Sequence, residues 1–220
     1  MSHMFASSSF NGDISNWDVS RVTDMSHIFA STRFNGEISN WDVSRVANAN
    51  GMFWDTELFN GDLSEWDVSG VTMMGSMFLG ATSFDRNISR WDVSRVTDMN
   101  DMFMGAKLFD GDILKWDVSR VTDMSDMFMG AKSFNGDISE WDVSSVTSMD
   151  SMFLGVSSFD GNISNWDVSK VIDIKSMFTG ATSFNGDIFK WNVSRCLWVR
   201  QRSSKSFAGL HGCIQRRPRR

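Results

Sequence analysis

Two rows of acidic residues recur at fixed distances from a repeated tryptophan, and these are the side chains best suited to chemistry. The first row follows the tryptophan directly, and the second stands four residues before it. Asn87 and Asn162 interrupt the second row. The first row is Asp18, Asp42, Asp67, Asp92, Asp117, Asp142 and Asp167, and the second is Asp13, Glu37, Asp62, Asp112, Asp137 and Asp187.

Two explanations account for carboxylates arranged in rows. Charges stacked ~5 Å apart repel by roughly 0.8 kcal/mol per pair even in water, so something must compensate them. We favour Asx turns, in which each carboxylate accepts a nearby backbone N–H, because Asn87 and Asn162 would serve equally well. The alternative is calcium, although the spacing matches neither an EF-hand nor a glycine-rich calcium repeat. The calcium candidates are Asp42, Asp67, Asp92, Asp117 and Asp142.

No set of unlike residues recurs that could support catalysis, and we expect no cofactor other than the calcium alternative. His3, His27 and His211 are too few and too scattered for a zinc site, so we expect all three to be exposed. The sequence holds no recurring Ser-His-Asp or Cys-His set and no phosphate-binding glycine loop. A repeat supplies like residues in rows, whereas a catalytic site needs unlike residues to converge, so we expect no enzyme.

The tryptophans define a repeat, which is the main feature of the sequence. They are separated by 24 residues once and by 25 residues six times, and all but the last begin Trp-Asp-Val-Ser. With the tryptophan as position 0, the seven complete units all have Val at positions 2 and 5 and Phe at position 12. One such unit cannot bury its own apolar side chains, so like residues must stack on like residues in neighbouring coils. The repeated residues are Trp17, Trp41, Trp66, Trp91, Trp116, Trp141, Trp166 and Trp191.

Each unit carries a strand signal followed by a helix signal. In the unit WDVSRVTDMSDMFMGAKSFNGDISE, the alternation of Trp116 and Val118 is typical of a strand. The apolar residues that follow fall on one helical arc, and Gly130 can end that helix in the left-handed conformation. These signals predict an α/β repeat architecture of short strands and short helices, with about eight coils. The residues of the arc are Val121, Met124, Met127 and Phe128.

The segments WDVSRVTDM, MF-x-GA and SFNGDIS resemble those of the BspA-like leucine-rich-repeat surface proteins, specifically the Mycoplasma-lipoprotein type of repeat. The resemblance covers residues 1 to about 194. It implies a right-handed, leucine-rich-repeat-like solenoid that is extracellular or displayed on the cell surface and serves in adhesion or protein binding. The first residues of this chain show no signal peptide.

The charge distribution divides the chain into an acidic repeat region, 1–194, and a basic tail, 195–220, which we expect to be disordered. Eight of the 21 basic residues lie in the tail with no acidic residue, so the repeat region holds 13 basic and 27 acidic residues. Such an acidic body disfavours nucleic acid as a partner, and no apolar run is long enough to span a membrane. The sudden loss of the repeat and the start within a unit favour a fragment whose tail is read in another frame.

The variable positions of the repeat are where partner choice would lie. The residues directly before the tryptophan and at position 4 are mostly long and polar, and they form either a solvated face or a recognition surface. The apolar residues at position 13 either form an exposed ridge or turn inward. The candidate partner-binding residues are Arg45, Arg90, Arg95, Lys115, Arg120 and Trp54.

The sequence as a whole predicts a non-enzymatic module for protein–protein or cell-surface contact. A structural protein that stacks end to end through uncapped coils is the first alternative. A calcium-dependent adhesin is the second alternative.

Overall fold

The computed structural model describes residues 1–196 as a stack of similar coils whose path is set by turns. Within these residues there is no helix, and the strand-like positions are single residues at position 7 of each coil. Each bridge is parallel and joins equivalent residues of neighbouring coils. The bridges are Asp24 to Asn48, Asn48 to Met73, Met73 to Asp98, Asp98 to Asp123, Asp123 to Ser148 and Ser148 to Asp173.

The coil around Trp116 shows how turns replace regular elements. Six backbone N–H groups each donate to the carbonyl three residues earlier, at 2.9–3.3 Å. Asp126 and Gly130 have left-handed φ values of 56° and 71°. A left-handed residue cannot continue a right-handed helix, so the chain turns again after each of them. The six donors are Trp116, Val121, Met127, Met129, Ala131 and Phe134.

The predicted α/β class is therefore wrong, and with it the leucine-rich-repeat-like arrangement of short strands and helices. The predicted strand at Trp116–Val118 is a short run between two turns and makes no bridge. The predicted helix contains the bridge residue Asp123 and the left-handed Asp126. Gly130 is left-handed as predicted, but it ends no helix. Successive turns point side chains inward every three or four residues, so their apolar spacing imitates that of a helix.

Backbone hydrogen bonds join neighbouring coils in register. The N–H groups of Met124 and Phe128 donate to carbonyls of Ser148 and Met152 in the following coil, both at 3.0 Å. Thr122 pairs in the opposite direction, with its N–H 2.9 Å from the carbonyl of Thr97. Every second residue of this segment thus points its N–H at the next coil, which gives a parallel ladder without regular strands.

Two columns of phenylalanine rings form the centre of the stack, as the repeat predicts. Ring centroids in successive coils are 5.5–5.8 Å apart in the column from Phe29 to Phe178. They are 5.8–6.2 Å apart in the column from Phe34 to Phe184. Within a coil the two rings are stacked at 3.9–4.2 Å. Each ring therefore packs against the same residue type above and below it.

The tryptophans form a third column and also bond neighbouring coils. The indoles of Trp91 and Trp116 are stacked at 6.3 Å with an interplanar angle of 3°. The Nε1–H of Trp116 donates to the carbonyl of Ile88 at 3.1 Å, and that carbonyl also accepts the Trp91 backbone N–H. The same indole bond recurs in every coil from Trp41 to Trp191 at 2.9–3.2 Å. The buried indoles thus keep their hydrogen bonds.

The coil geometry continues to the end of the described residues, two positions beyond the predicted boundary at 194. The N–H of Cys196 donates to the Val193 carbonyl at 3.0 Å, which repeats the turn that other coils close with Val at position 5. Cys213 and the rest of the predicted tail lie outside the described residues. Over 1–196, no helix is long and apolar enough to cross a membrane.

Phe128→Ala should reduce the free energy of unfolding by about 3–5 kcal/mol, because it leaves a cavity in the centre of the stack. Phe128 contacts four aromatic rings and is fully buried. Leu108→Ala is the matched control, because Leu108 is 54% exposed and its loss should cost less than about 0.5 kcal/mol. Urea unfolding followed by tryptophan fluorescence measures both. Equal costs for the two variants would contradict the packing described.

Candidate functional site

The first acidic row makes Asx turns, which confirms the favoured explanation. The Oδ1 atom of each aspartate accepts the backbone N–H of the serine two residues later, at 3.0–3.1 Å. In Asp142 the hydrogen bonds from the Ser144 side chain and backbone lower the pKa of the carboxyl group. Asn192 makes the same bond to the Ser194 N–H at 3.2 Å, so the interaction needs an acceptor rather than a charge.

The calcium alternative gains no support from the arrangement of these carboxylates. The candidates Asp42, Asp67, Asp92, Asp117 and Asp142 each belong to a separate coil and bond to their own serine. Among the residues that the structure describes, no group of three or more His, Cys, Asp or Glu is arranged to hold a metal ion.

The aspartates of the second acidic row behave in the same way. Asp137 accepts the N–H of Ser139 at 2.9 Å, and this bond lowers the pKa of the Asp137 carboxyl group. Asn87 and Asn162 accept the equivalent N–H at 3.0 and 3.1 Å. Asp and Asn are interchangeable at this position because both present an acceptor oxygen.

A third row, six residues before each tryptophan, holds the coils together and was missed by the sequence analysis. Its Oδ1 atoms accept the backbone N–H of the same position in the following coil, at 2.7–3.2 Å. The signal available in the sequence was the restriction of this position to Asn or Asp in every coil. The row is Asn11, Asn35, Asn60, Asp85, Asp110, Asn135, Asp160 and Asn185.

The predicted partner-binding residues all lie on the surface. Arg45, Arg95 and Arg120 stand at position 4 and are exposed. Arg90 and Lys115 precede their tryptophans and pair with glutamates of neighbouring coils, Glu65 at 3.2 Å and Glu140 at 2.6 Å. The hydrogen bond from Lys115 to Glu140 raises the pKa of the lysine. These exposed pairs contribute little to stability, so the two basic side chains can exchange partners.

Position 13 forms a partly exposed apolar ridge rather than either predicted extreme. Ala30 is buried at one end, and Thr179 is exposed at the other. Trp54 is 39% exposed, and its ring meets the His27 ring at 5.7 Å. His27 is half-buried, contrary to the expectation that the histidines are exposed, and burial lowers its pKa. The central ridge residues, all half-buried, are Leu79, Met104, Met129 and Leu154.

Carboxylates crowd beside this ridge, and they too are absent from the candidate residues predicted from the sequence. Asp98 and Asp123 stand at position 7, and Asp101 and Asp126 at position 10, in two successive coils. Burial and then repulsion from Asp101, Asp150 and Asp123 raise the pKa of Asp126 to about 6. Burial also raises the pKa values of Asp98 and Asp101. The sequence signal was the coincidence of these aspartates in consecutive units.

The stacked coils and their rows of like side chains define a tandem-repeat protein. Residues 1–115 and 106–209 each match the family described as "Mycoplasma protein of unknown function, DUF285", and the chain belongs to that family. The finer assignment to BspA-like leucine-rich-repeat proteins is not confirmed by this match. No curated protein matches the chain.

Asn35→Ala should lower the free energy of unfolding by about 1 kcal/mol, because the N–H of Asn60 loses its acceptor. Asn35→Asp is the matched variant that keeps the acceptor oxygen. The residues above and below it in the row, Asn11 and Asn60, are uncharged, so the new carboxylate meets no like charge within the row. We expect Asn35→Asp to keep the stability of the natural chain in urea unfolding. If both variants lose the same free energy of unfolding, the hydrogen bond between coils is not the way in which this row stabilises the stack.

Asp126→Asn should stabilise the protein near pH 7 and have no effect near pH 3.5. The folded-state pKa lies above the ordinary value of 3.8, so stability falls as pH rises from 3.8 towards 6, and the full cost remains above that range. The group is partly exposed and screened, and we expect a rise in Tm of about 2–4 °C at pH 7. Asn also tolerates the left-handed backbone at this position.

Asp142→Asn is the control for this melt, because its carboxyl pKa is lowered rather than raised and Asn keeps its hydrogen bond. Thermal melts followed by circular dichroism at both pH values measure the two variants. A rise in Tm for Asp142→Asn equal to that for Asp126→Asn would show that total charge, not the crowding at Asp126, limits stability.

Proposed function

We propose that this chain is a non-enzymatic module that binds other proteins through exposed rows of its stacked coils, outside the cell or at the cell surface. One observation carries the proposal. From Trp41 onward, the apolar residues that every repeat shares are buried in the stack, whereas the variable residues directly before each tryptophan are exposed.

The shared residues have structural roles within the stack and its turns. The shared Val and Phe residues of the complete units are buried apart from the half-buried Val22, and the repeat tryptophans from Trp41 to Trp191 are buried. The shared aspartates and serines bond to each other within their turns. The variable exposed positions carry no such structural role, so they are free to be selected for a partner.

The variable rows are suited to recognition because they are held at a regular spacing. Arg45, Arg95 and Arg120 project from equivalent points of different coils, so their positions are fixed by the core beneath them. A partner that contacts several coils meets an array that is already ordered, which reduces the entropy lost on binding. Repeat proteins commonly use such extended surfaces to bind proteins.

Two further considerations support the non-enzymatic and extracellular parts of the proposal. Rows of like residues present the same group many times, whereas catalysis requires different groups at one point. The resemblance to surface-displayed repeat proteins supports a location outside the cell.

A random-peptide phage library panned on the immobilised protein tests the proposal. We expect enrichment of related sequences that compete with one another, and we expect their binding to weaken about tenfold in the variant Arg45→Ser/Arg95→Ser/Arg120→Ser. A matched variant, Ser44→Ala/Ser94→Ala/Ser119→Ala, changes the adjacent position 3 and should keep binding if it keeps its fold by circular dichroism. No enrichment above a bare surface, or equal binding to the arginine variant, would contradict the proposal.

A further inference from the structure

A strip along the stack combines an apolar row with a row of carboxylates. We define the strip by the apolar residues Leu79, Met104, Met129 and Leu154 and the acidic residues Asp98, Asp101, Asp123, Asp126 and Asp150. We propose that the strip docks an extended polypeptide segment in which arginine or lysine side chains alternate with apolar ones. This inference rests on the proposed function and names the chemistry of the partner.

The two rows of the strip lie side by side because one turn connects them in each of the two central coils. The N–H of Met129 donates to the carbonyl of Asp126 at 2.9 Å, and Met104 bonds in the same way to Asp101 at 3.0 Å. The backbone bridge between Asp98 and Asp123 keeps these successive coils in register. An extended segment that crosses the coils thus meets carboxylates along one side and apolar side chains along the other.

Glycines beside the ridge leave its outer side open. Gly105, Gly130 and Gly155 directly follow the ridge residues and have φ values of 71–73°. A Cβ atom added to Gly155 would meet no heavy atom within 4 Å, and one added to Gly105 or Gly130 would meet only the backbone of the preceding glycine of this row, at 3.7 and 3.9 Å. A residue other than glycine at these positions would be strained by the backbone conformation, so the turn itself keeps the outer side of the ridge free of side chains. A partner can therefore approach Met129 and Leu154 from this side.

The charge of the strip determines which partner fits. Asp126 is faced by Asp101 in the preceding coil, Asp150 in the following coil and Asp123 in its own coil, and no cation is among the groups that act on it. Asn100 donates one hydrogen bond to Asp101 at 2.9 Å, which compensates only part of this charge. A guanidinium group placed among the carboxylates would relieve their repulsion and could bond two of them.

The apolar half of the strip selects against a partner that is merely basic. Met104 and Met129 are half-buried, and covering their remaining surface requires apolar side chains at the spacing of the coils. Methionine side chains adapt their shape readily, so the ridge can accept different apolar groups. An occupant with both kinds of side chain therefore satisfies both rows.

Binding should also depend on pH in a range where exposed aspartates stay charged. The pKa of Asp126 is raised to about 6, so this carboxylate is protonated at pH 5 and charged at pH 7.5. At pH 5 a cationic partner therefore meets one negative charge fewer on the strip. The arginine and lysine side chains of the partner do not titrate between these two pH values. His3 and His27 belong to the first turns of the stack and lie outside the strip.

Fluorescence anisotropy with a labelled peptide of about twelve alternating Arg and Leu residues tests the proposal on the full chain. An Arg/Ser peptide of equal length and charge shows whether apolar side chains are needed. Asp101→Asn/Asp126→Asn removes two charges of the strip, and Met104→Gln/Met129→Gln makes the ridge polar at nearly constant size. Asp92→Asn/Asp117→Asn is the matched control, because it removes two charges of the first acidic row while keeping acceptor oxygens.

We expect each strip variant to weaken Arg/Leu binding about tenfold and the control variant to weaken it less than about twofold. We also expect weaker binding at pH 5 than at pH 7.5. Equal losses for the strip and control charge variants, or equal affinity for the Arg/Ser and Arg/Leu peptides, would overturn the proposal. If phage panning finds binders and the Arg/Leu peptide does not bind, the proposed function stands and this assignment of the strip falls.

Discussion

The stacking of equivalent aromatic rings in successive coils is the interaction on which the rest of this structure depends. A single coil of turns has neither a helix nor a strand to stabilise it, and its two phenylalanines can contact only each other. Each added coil covers the rings of the last one at 5.5–6.2 Å and brings equivalent backbone groups together. The hydrogen bonds from the Trp116 indole to the Ile88 carbonyl and from the Asn60 backbone N–H to the Asn35 side-chain oxygen then fix the register. Stability therefore belongs to neighbouring pairs of coils rather than to single coils.

Stacking equivalent residues also places like charges next to one another. The resulting acidic rows differ in whether hydrogen bonds compensate these charges. Asp117 and Asp142 are exposed, and each accepts hydrogen bonds from its own serine. Asp126, by contrast, lies partly buried among three other carboxylates, with no donor that offsets its burial. Most acidic positions of this chain are therefore structural. The strip beside the apolar ridge is where uncompensated charge gathers.

The sequence predicted the repeat, the stacked core and the Asx turns, because each depends on residue types at a fixed period. It did not predict the path of the chain between those residues. Val121, Met124, Met127 and Phe128 are buried as a helix would bury them, yet Asp126 is left-handed and breaks any helix. Aspartate allows but does not require that conformation, so composition alone could not reveal it. The crowding of carboxylates around Asp126 could not be predicted for the same reason, because it depends on how the turns bring positions 7, 9 and 10 together.

A double-mutant cycle on the phenylalanine column tests the central claim most directly. Phe103 and Phe128 are in contact at 5.7 Å, whereas Phe29 lies three coils from Phe103 and is separated from it by Phe53 and Phe78. Replacing each residue by leucine, singly and in pairs, and measuring urea unfolding gives the two coupling energies. Stacking predicts a coupling of about 0.5–1.5 kcal/mol for Phe103 with Phe128 and about zero for Phe103 with Phe29. Two equal couplings would contradict it.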